Sequence, residues 1–236
     1  MKRHAWNVPR IRSRHRGYRN MLLLELLIIW LVPLAQHHAV LIDLSAVVLL
    51  LFFMNFTAHL TVLRSGQRLV FVLGGCAIAV QLLWAVLRLW PELLPFIPSG
   101  GAALGGLALL RLILMMLFFG NTLVRMVRGL IREPFVTASV LMGAAAGYVQ
   151  IGLLGGALLN TIHSLHPTSF IPLQPPADAA LTMASLGFLT TASSAVLAPN
   201  DLVGQAAAFS ITIVGQLYVA ILIALVLGRF HRRMAR

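Results

Sequence analysis

The chain carries little charge, few acidic residues and one cysteine. Charged residues make up 10% of its 236 residues, hydrophobic residues make up 59%, and six residues are Asp or Glu. The mean hydropathy of +0.91 excludes an ordinary soluble domain. The single Cys76 lies in an apolar run, which excludes a disulfide framework and a multi-cysteine metal site.

Catalytic patterns are also missing. The acids are spread one to a segment, so the sequence offers no pair of neighbouring carboxylates. No Ser/His/Asp or Cys/His arrangement is visible either. We therefore predict no enzymatic activity, no cofactor and no metal site.

Long apolar runs dominate what is present. A helix needs ~20 mostly apolar residues to cross a ~30 Å hydrocarbon core. Apolar runs separated by Arg, Gly and Pro occupy 21–35, 39–60, 69–90, 102–124, 136–163 and 203–228. The sequence predicts an all-α integral membrane protein with six transmembrane helices.

The basic residues predict the orientation. All but Arg88 and Arg111 of the 18 Lys and Arg residues lie in the amino-terminal arm, in 61–68, in 125–134 or in the carboxyl-terminal tail. By the positive-inside rule, both termini are cytoplasmic in a multi-pass protein of the inner (plasma) membrane. The basic arm, residues 1–20, contains no acid and is expected to bind anionic lipid headgroups. No aromatic-interleaved module follows it, so no nucleic-acid partner is expected.

One segment is too short to cross the membrane. Thr182 to Ala192 is mildly apolar and lies between a proline-rich loop and Pro199. A re-entrant helix is one standard interpretation of such a stretch, and non-helical backbone at membrane depth must be buried in protein or line water. The order helix, short segment, helix indicates a pore or a substrate pathway.

Three motifs around this segment resemble the bacterial six-helix potassium channel family. Gly215-Gln216-Leu217-Tyr218 and the apolar residues after it resemble the family's inner helix. His166-Pro167-Thr168-Ser169-Phe170 resembles the turn that closes its outer helix, and Leu189-Thr190-Thr191 resembles the entry to its selectivity filter. The resemblance implies a re-entrant pore helix and loop between the last two spans, monovalent cations as partners, and a homotetramer.

With the charge pattern, the resemblance divides the chain into four parts. These are a basic cytoplasmic arm (1–20), a four-helix membrane domain (21–134), a pore-like module (135–229) and a basic cytoplasmic tail (230–236).

The filter itself differs from the family pattern. Where the family has Val-Gly-Tyr-Gly-Asp, this chain has Ala192-Ser193-Ser194-Ala195-Val196, so the filter-equivalent residues are Thr190, Thr191, Ala192, Ser193, Ser194 and Ala195. Glycine reaches backbone conformations that cost other residues ~1–2 kcal/mol each. A narrow potassium filter is therefore not expected.

Four functions stay open. The resemblance implies passive monovalent cation permeation with weak or altered selectivity. The alternatives are a non-conducting structural or regulatory homologue, a subunit that assembles with an intact relative, and a secondary carrier that uses the broken segment 182–199.

Several single residues have two interpretations. Gly215 is either a hinge of the inner helix or a close-packing position, and Gln216 faces either a wet cavity or a neighbouring helix. Arg111, deep in the fourth run, is expected to form an intramembrane ion pair with Asp43. Glu25 is expected to extend toward the cytoplasmic surface.

Overall fold

The structure is a computed structural model that describes residues 8–34, 39–60, 64–89, 101–133, 137–170, 177–190 and 198–234. Its helices are α1 (Val8–Leu34), α2 (Ala39–Leu60), α3 (Arg64–Leu89), α4 (Gly101–Arg132), α5 (Ala138–Leu165), α6 (Ala177–Leu189) and α7 (Leu202–Met234). A 3-10 turn, Pro167–Ser169, follows α5. The described residues contain no strand, which confirms the prediction of an all-helical protein.

Four of the described helices are long and apolar enough to cross a membrane, as in a membrane protein. Their apolar lengths are Gly66–Leu87 in α3, Gly105–Ile131 in α4, Ala138–Leu165 in α5 and Leu202–Ala224 in α7. The apolar parts of α2 and α6 are shorter. The prediction of six spans therefore stays a prediction.

The helices pack in two groups that share α5. A first core contains residues of α1 to α5, with Phe53, Phe118 and Met126 among its fully buried side chains. A second core joins α5 to α6 and α7 through residues such as Leu181 and Ile211. Because α5 packs against α1, α4, α6 and α7, it links α1 and α4 of the leading helices directly to the two carboxyl-terminal helices.

The first helix begins earlier than the apolar run at 21–35 indicates. It is helical from Val8, and Tyr18, inside the basic arm, is fully buried with its ring edge-on to Phe56 at 5.7 Å between centroids. His15 Nε2 lies 3.8 Å from Glu133 Oε2, just after α4. This part of the arm is therefore packed on the helical bundle.

Candidate functional site

The short helix α6 lies along α5 in the opposite direction. Thr182, near its start, packs against Gly156, and Ser185 Oγ donates a hydrogen bond to the Gly152 carbonyl oxygen at 2.7 Å. A Cβ on Gly156 would lie 2.9 Å from the backbone Cα of Thr182. Only glycine fits at this contact, so α6 is held against the α5 backbone.

Two hydroxyl groups bind the carboxyl-terminal end of α6. Tyr148 Oη donates to the Leu189 carbonyl oxygen at 2.8 Å, and Thr212 Oγ1 lies 3.0 Å from the Phe188 carbonyl oxygen. The last carbonyl groups of a helix have no partner within the helix. These side chains of α5 and α7 therefore hold the end of α6 between the two longer helices.

The end of α6 lies well along α7. A Cβ on Gly215 would lie 2.5 Å from Leu189 Cδ1, and Gly215 is ~20 Å from the start of α7 at a rise of ~1.5 Å per residue. Gly215 is thus a close-contact position, while its role as a hinge stays a prediction. Gln216 is exposed on the adjacent face of α7.

Beyond the end of α6, the chain is bound again to the end of α5. The Asn200 N–H donates to the Ser169 carbonyl oxygen at 2.9 Å, and Phe170 and Pro199 form an antiparallel bridge. Ser169 Oγ donates to Asp201 Oδ2 at 2.5 Å. The described residues on both sides of α6 therefore meet at one place, beside the start of α7.

Asp201 caps α7. Its Oδ1 accepts a hydrogen bond from the Gly204 N–H at 2.7 Å, which satisfies one of the free amides at a helix start. The Ser169 hydroxyl, and then this amide, hold the pKa of Asp201 below its ordinary value of 3.8. The carboxylate therefore stays charged and fixes the join between the turn after α5 and the first turn of α7.

The filter-equivalent residues fall mostly outside the described part of the chain. Thr190 is exposed directly after α6, and its Oγ1 donates to the Gly187 carbonyl oxygen at 3.0 Å. Thr191, Ala192, Ser193, Ser194 and Ala195 lie outside the described residues. Their alignment with a selectivity filter stays a prediction.

Asp43 and Arg111 line one cavity of about 130 Å³ between the leading helices and α5–α6. Gln81 Nε2 donates to Asp43 Oδ1 at 2.9 Å. The Arg111 guanidinium carbon lies 4.7 Å from the centroid of the Trp84 ring, a cation–π contact. The structure thus brings both predicted residues to one place, while a direct ion pair between them stays a prediction.

Sequence reasoning missed the other polar residues of this cavity. Its lining also includes Ser45, Gln81, Gln150, Asn160 and Thr182, beside Asp43 and Arg111. Gln150 Nε2 donates to the Phe119 carbonyl oxygen at 3.2 Å, and Asn160 Nδ2 lies 3.3 Å from Thr182 Oγ1. The available signal was a single amide within an apolar run, a residue type that is expensive at membrane depth and often functional.

The side chain of Glu25 is buried and does not extend toward the cytoplasmic surface as expected. The sequence places it near the cytoplasmic end of the first apolar run, yet its side chain is 0% exposed and packed inside the bundle. Neither carboxylate oxygen has a hydrogen-bond partner among the described residues. The prediction that it extends to the surface is wrong, because α1 begins 17 residues before it and its face is covered by neighbouring helices.

Comparison with protein families, curated proteins and solved structures finds no match for this chain. Within the described ranges, no group of three or more His, Cys, Asp or Glu side chains is placed to hold a metal ion. Functional inference therefore rests on the geometry of α5–α6–α7 and of the polar cavity.

Proposed function

We propose that the chain is a potassium-channel-like membrane protein through which monovalent cations permeate passively with weak or altered selectivity. The path of the chain between α5 and α7 carries this proposal. Helix α6 lies along α5 and ends beside Gly215 of α7. Asn200, just before α7, is then hydrogen-bonded to Ser169, just after α5. Between two helices long enough to span a membrane, such a path supports the proposal of a re-entrant segment.

The length of α6 fits a re-entrant role. Its 13 residues span ~20 Å, less than the ~30 Å hydrocarbon core. In this proposal α1 and α2 also cross the membrane, giving six spans with both termini cytoplasmic and α6 as the pore helix.

The charge around the segment favours cations over anions. Residues 177–201 contain two aspartates and no Lys, Arg or His. The carboxyl-terminal end of a helix carries a partial charge of roughly −0.5, and α6 places that end at the depth of Gly215. Thr190 adds a hydroxyl oxygen directly after it.

A pore of this kind needs several copies, because each chain contributes one such segment. The outer face of α7 supplies an apolar surface, with Phe209, Ile213 and Leu217 each more than half exposed. Gln216 lies exposed beside them. We propose a homotetramer in which this face meets neighbouring copies and lipid.

A non-conducting structural or regulatory homologue is the second candidate, and its basis is the filter sequence. Alanine and serine stand at 192–195, where backbone conformations accessible to glycine would be strained for other residues. A subunit that assembles with an intact relative would share this property. The carrier alternative has less support, because α1 to α4 are each uninterrupted over their described lengths and carriers commonly repeat a broken helix.

The deciding experiment is current across a planar bilayer that holds the purified protein, with potassium on one side and sodium on the other. Clear conductance with a reversal potential near zero supports the proposed weakly selective pore. A reversal near the potassium equilibrium potential would overturn the filter argument. Silence from folded, tetrameric protein would reject conduction and favour the non-conducting homologue.

A cysteine experiment tests where the current flows. Cys76 is exposed, so the background is Cys76→Ser, which removes the chain's own thiol. Thr190→Cys in that background should lose current on treatment with a charged thiol reagent, because Thr190 follows the end of α6. Thr168→Cys, the same change in the exposed turn after α5, is the control and should keep its current.

A further inference from the structure

The cavity lined by Asp43, Gln81, Arg111 and Gln150, called here the polar cavity, is large enough for an aromatic ring. Its volume of about 130 Å³ is close to the ~150 Å³ of an engineered protein cavity that binds benzene. Residues from α1 through α6 line it, among them Ile28 of α1, Gln81 of α3 and Thr182 of α6. It therefore lies where the leading helices meet α5 and α6.

Two buried amides leave acceptor atoms unsatisfied at this cavity. Gln81 and Gln150 are each 2% exposed, and both line the cavity. Each uses its NH₂ group on an acceptor, Asp43 Oδ1 for Gln81 and the Phe119 carbonyl oxygen for Gln150. The Oε1 atom of each has no hydrogen-bond partner among the described residues.

The orientation of these amides follows from their partners. A carbonyl oxygen can only accept, so Gln150 must turn its nitrogen toward Phe119 and its oxygen away. The same holds for Gln81 facing the Asp43 carboxylate. Because buried polar groups are nearly always hydrogen-bonded, a ligand that reaches either oxygen is expected to donate a hydrogen bond to it.

Most of the exposed surface inside the cavity is apolar. Leu49, Met115, Leu153 and Leu154 contribute to it, together with the ring of Phe119. Water alone could bind the amide oxygens but would also be in contact with these apolar side chains. A molecule with an apolar body and one donating group covers the apolar side chains and binds one of the amide oxygens.

The charges on the lining cancel. Asp43 and Arg111 have opposite sign, and the Arg111 guanidinium stacks on Trp84. A lining without net charge favours a neutral ligand over an ion, because an ion leaves its hydration shell and gains no net attraction.

We propose that this cavity is a binding site for a small neutral amphiphile of about benzene size, whose single hydroxyl group donates a hydrogen bond to the Oε1 atom of either Gln81 or Gln150. Alcohols and phenols have this chemistry, whether they come from the membrane or from solution. The proposal does not depend on conduction. Since Gln150 lies on α5 and Thr182 on α6, the ligand would lie against the pore-like helices as well as the leading ones.

The test uses the full chain in phosphatidylcholine nanodiscs and two fluorinated probes of equal shape, 4-fluorophenol and 4-fluorotoluene. Binding is followed by fluorine NMR, with empty nanodiscs correcting for partition into lipid. We expect saturable binding of 4-fluorophenol, about fivefold tighter than that of 4-fluorotoluene, since one hydrogen bond is added. This comparison needs no variant.

Matched variants locate the site. Because the hydroxyl donates to one of the two amide oxygens, at least one of the variants Gln150→Leu and Gln81→Leu should reduce the preference for 4-fluorophenol. Gln205→Leu, the same change at an exposed position of α7, should leave it intact. The proposal would be overturned if nanodiscs with the protein took up no more 4-fluorophenol than empty nanodiscs. It would also be overturned if both Gln81→Leu and Gln150→Leu kept the preference for 4-fluorophenol over 4-fluorotoluene.

A second arm identifies the source of the natural ligand. Lipid exchange removes any alcohol that the protein carries from its membrane. If 4-fluorophenol binds as readily before this exchange as after it, the site was not occupied by such an alcohol, and the proposal holds for a molecule that comes from solution. If it binds only after extensive lipid exchange, the proposal holds for a resident alcohol that comes from the membrane. No saturable binding under either condition means that the cavity holds water only, which would overturn the proposal.

Discussion

Gly156→Ala tests whether the position of α6 depends on backbone contact with α5. A Cβ at Gly156 would lie 2.9 Å from Thr182 Cα, with Thr182 Cγ2 and Cβ at 3.1 and 3.2 Å. Because the nearest atom is backbone, no side-chain rotation relieves the contact, and one helix must shift. Overpacking of this kind costs about 1–3 kcal/mol, while replacing a mid-helix glycine by alanine gains about 0.5–1 kcal/mol. We therefore expect a net loss of roughly 1–2 kcal/mol in the free energy of unfolding.

Two other glycines of the chain serve as controls. A Cβ at Gly106 of α4 or at Gly75 of α3 meets nothing within 4 Å, so Gly106→Ala and Gly75→Ala should be neutral or slightly stabilising. Stability is measured by titration with sodium dodecyl sulfate in mixed micelles, with circular dichroism as the readout. If Gly156→Ala unfolds at the same midpoint as Gly106→Ala, the close α5–α6 contact is refuted.

Three further changes test separate features. Tyr148→Phe removes the hydroxyl bound to the Leu189 carbonyl oxygen and should cost about 1–3 kcal/mol in the same titration; an unchanged midpoint would mean that this end of α6 is not held there. Glu25→Leu should raise the melting temperature, because it removes a fully buried carboxylate without hydrogen-bond partners among the described residues, and a lower temperature would assign the carboxylate a structural role. The lowered pKa of Asp201 predicts stability that is complete above pH 3.8 and is lost as the pH falls through that lowered pKa. Asp201→Asn should flatten this part of the melting temperature–pH profile, and a profile like that of the wild type would contradict the hydrogen bond from Ser169.

The positions of most helices could be predicted from the sequence, because apolar runs mark chain that can be buried in lipid. The run at 39–60 coincides with α2, and that at 203–228 lies within α7. The error at α1 has a physical reason. Hydropathy measures affinity for lipid and not helix formation. It therefore misses the basic first part of α1, whose Tyr18 packs on Phe56.

The candidate site could be predicted only in part. The sequence predicts that Asp43 and Arg111 lie near each other, since an unpaired charge at membrane depth demands compensation, and both line the cavity, while their direct ion pair stays a prediction. The amides of Gln81 and Gln150 could not be placed from sequence, because the rotation of each helix about its axis decides which residues converge. Hydropathy does not determine that rotation when apolar residues surround the helix on every side.

Thr182 connects the two candidate sites of the molecule. It lines the polar cavity, and it also forms the contact with Gly156 that positions α6 on α5. A closely packed contact cannot absorb a displacement gradually, so any ligand that pushes on Thr182 moves α6 as a unit or fails to bind. If α6 is the pore helix, a ligand that displaces Thr182 alters the end of α6 at Leu189, next to Thr190. We therefore expect the conductance of the wild-type protein to change as 4-fluorophenol is added and binds. Gly156→Ala should alter both the conductance and the binding.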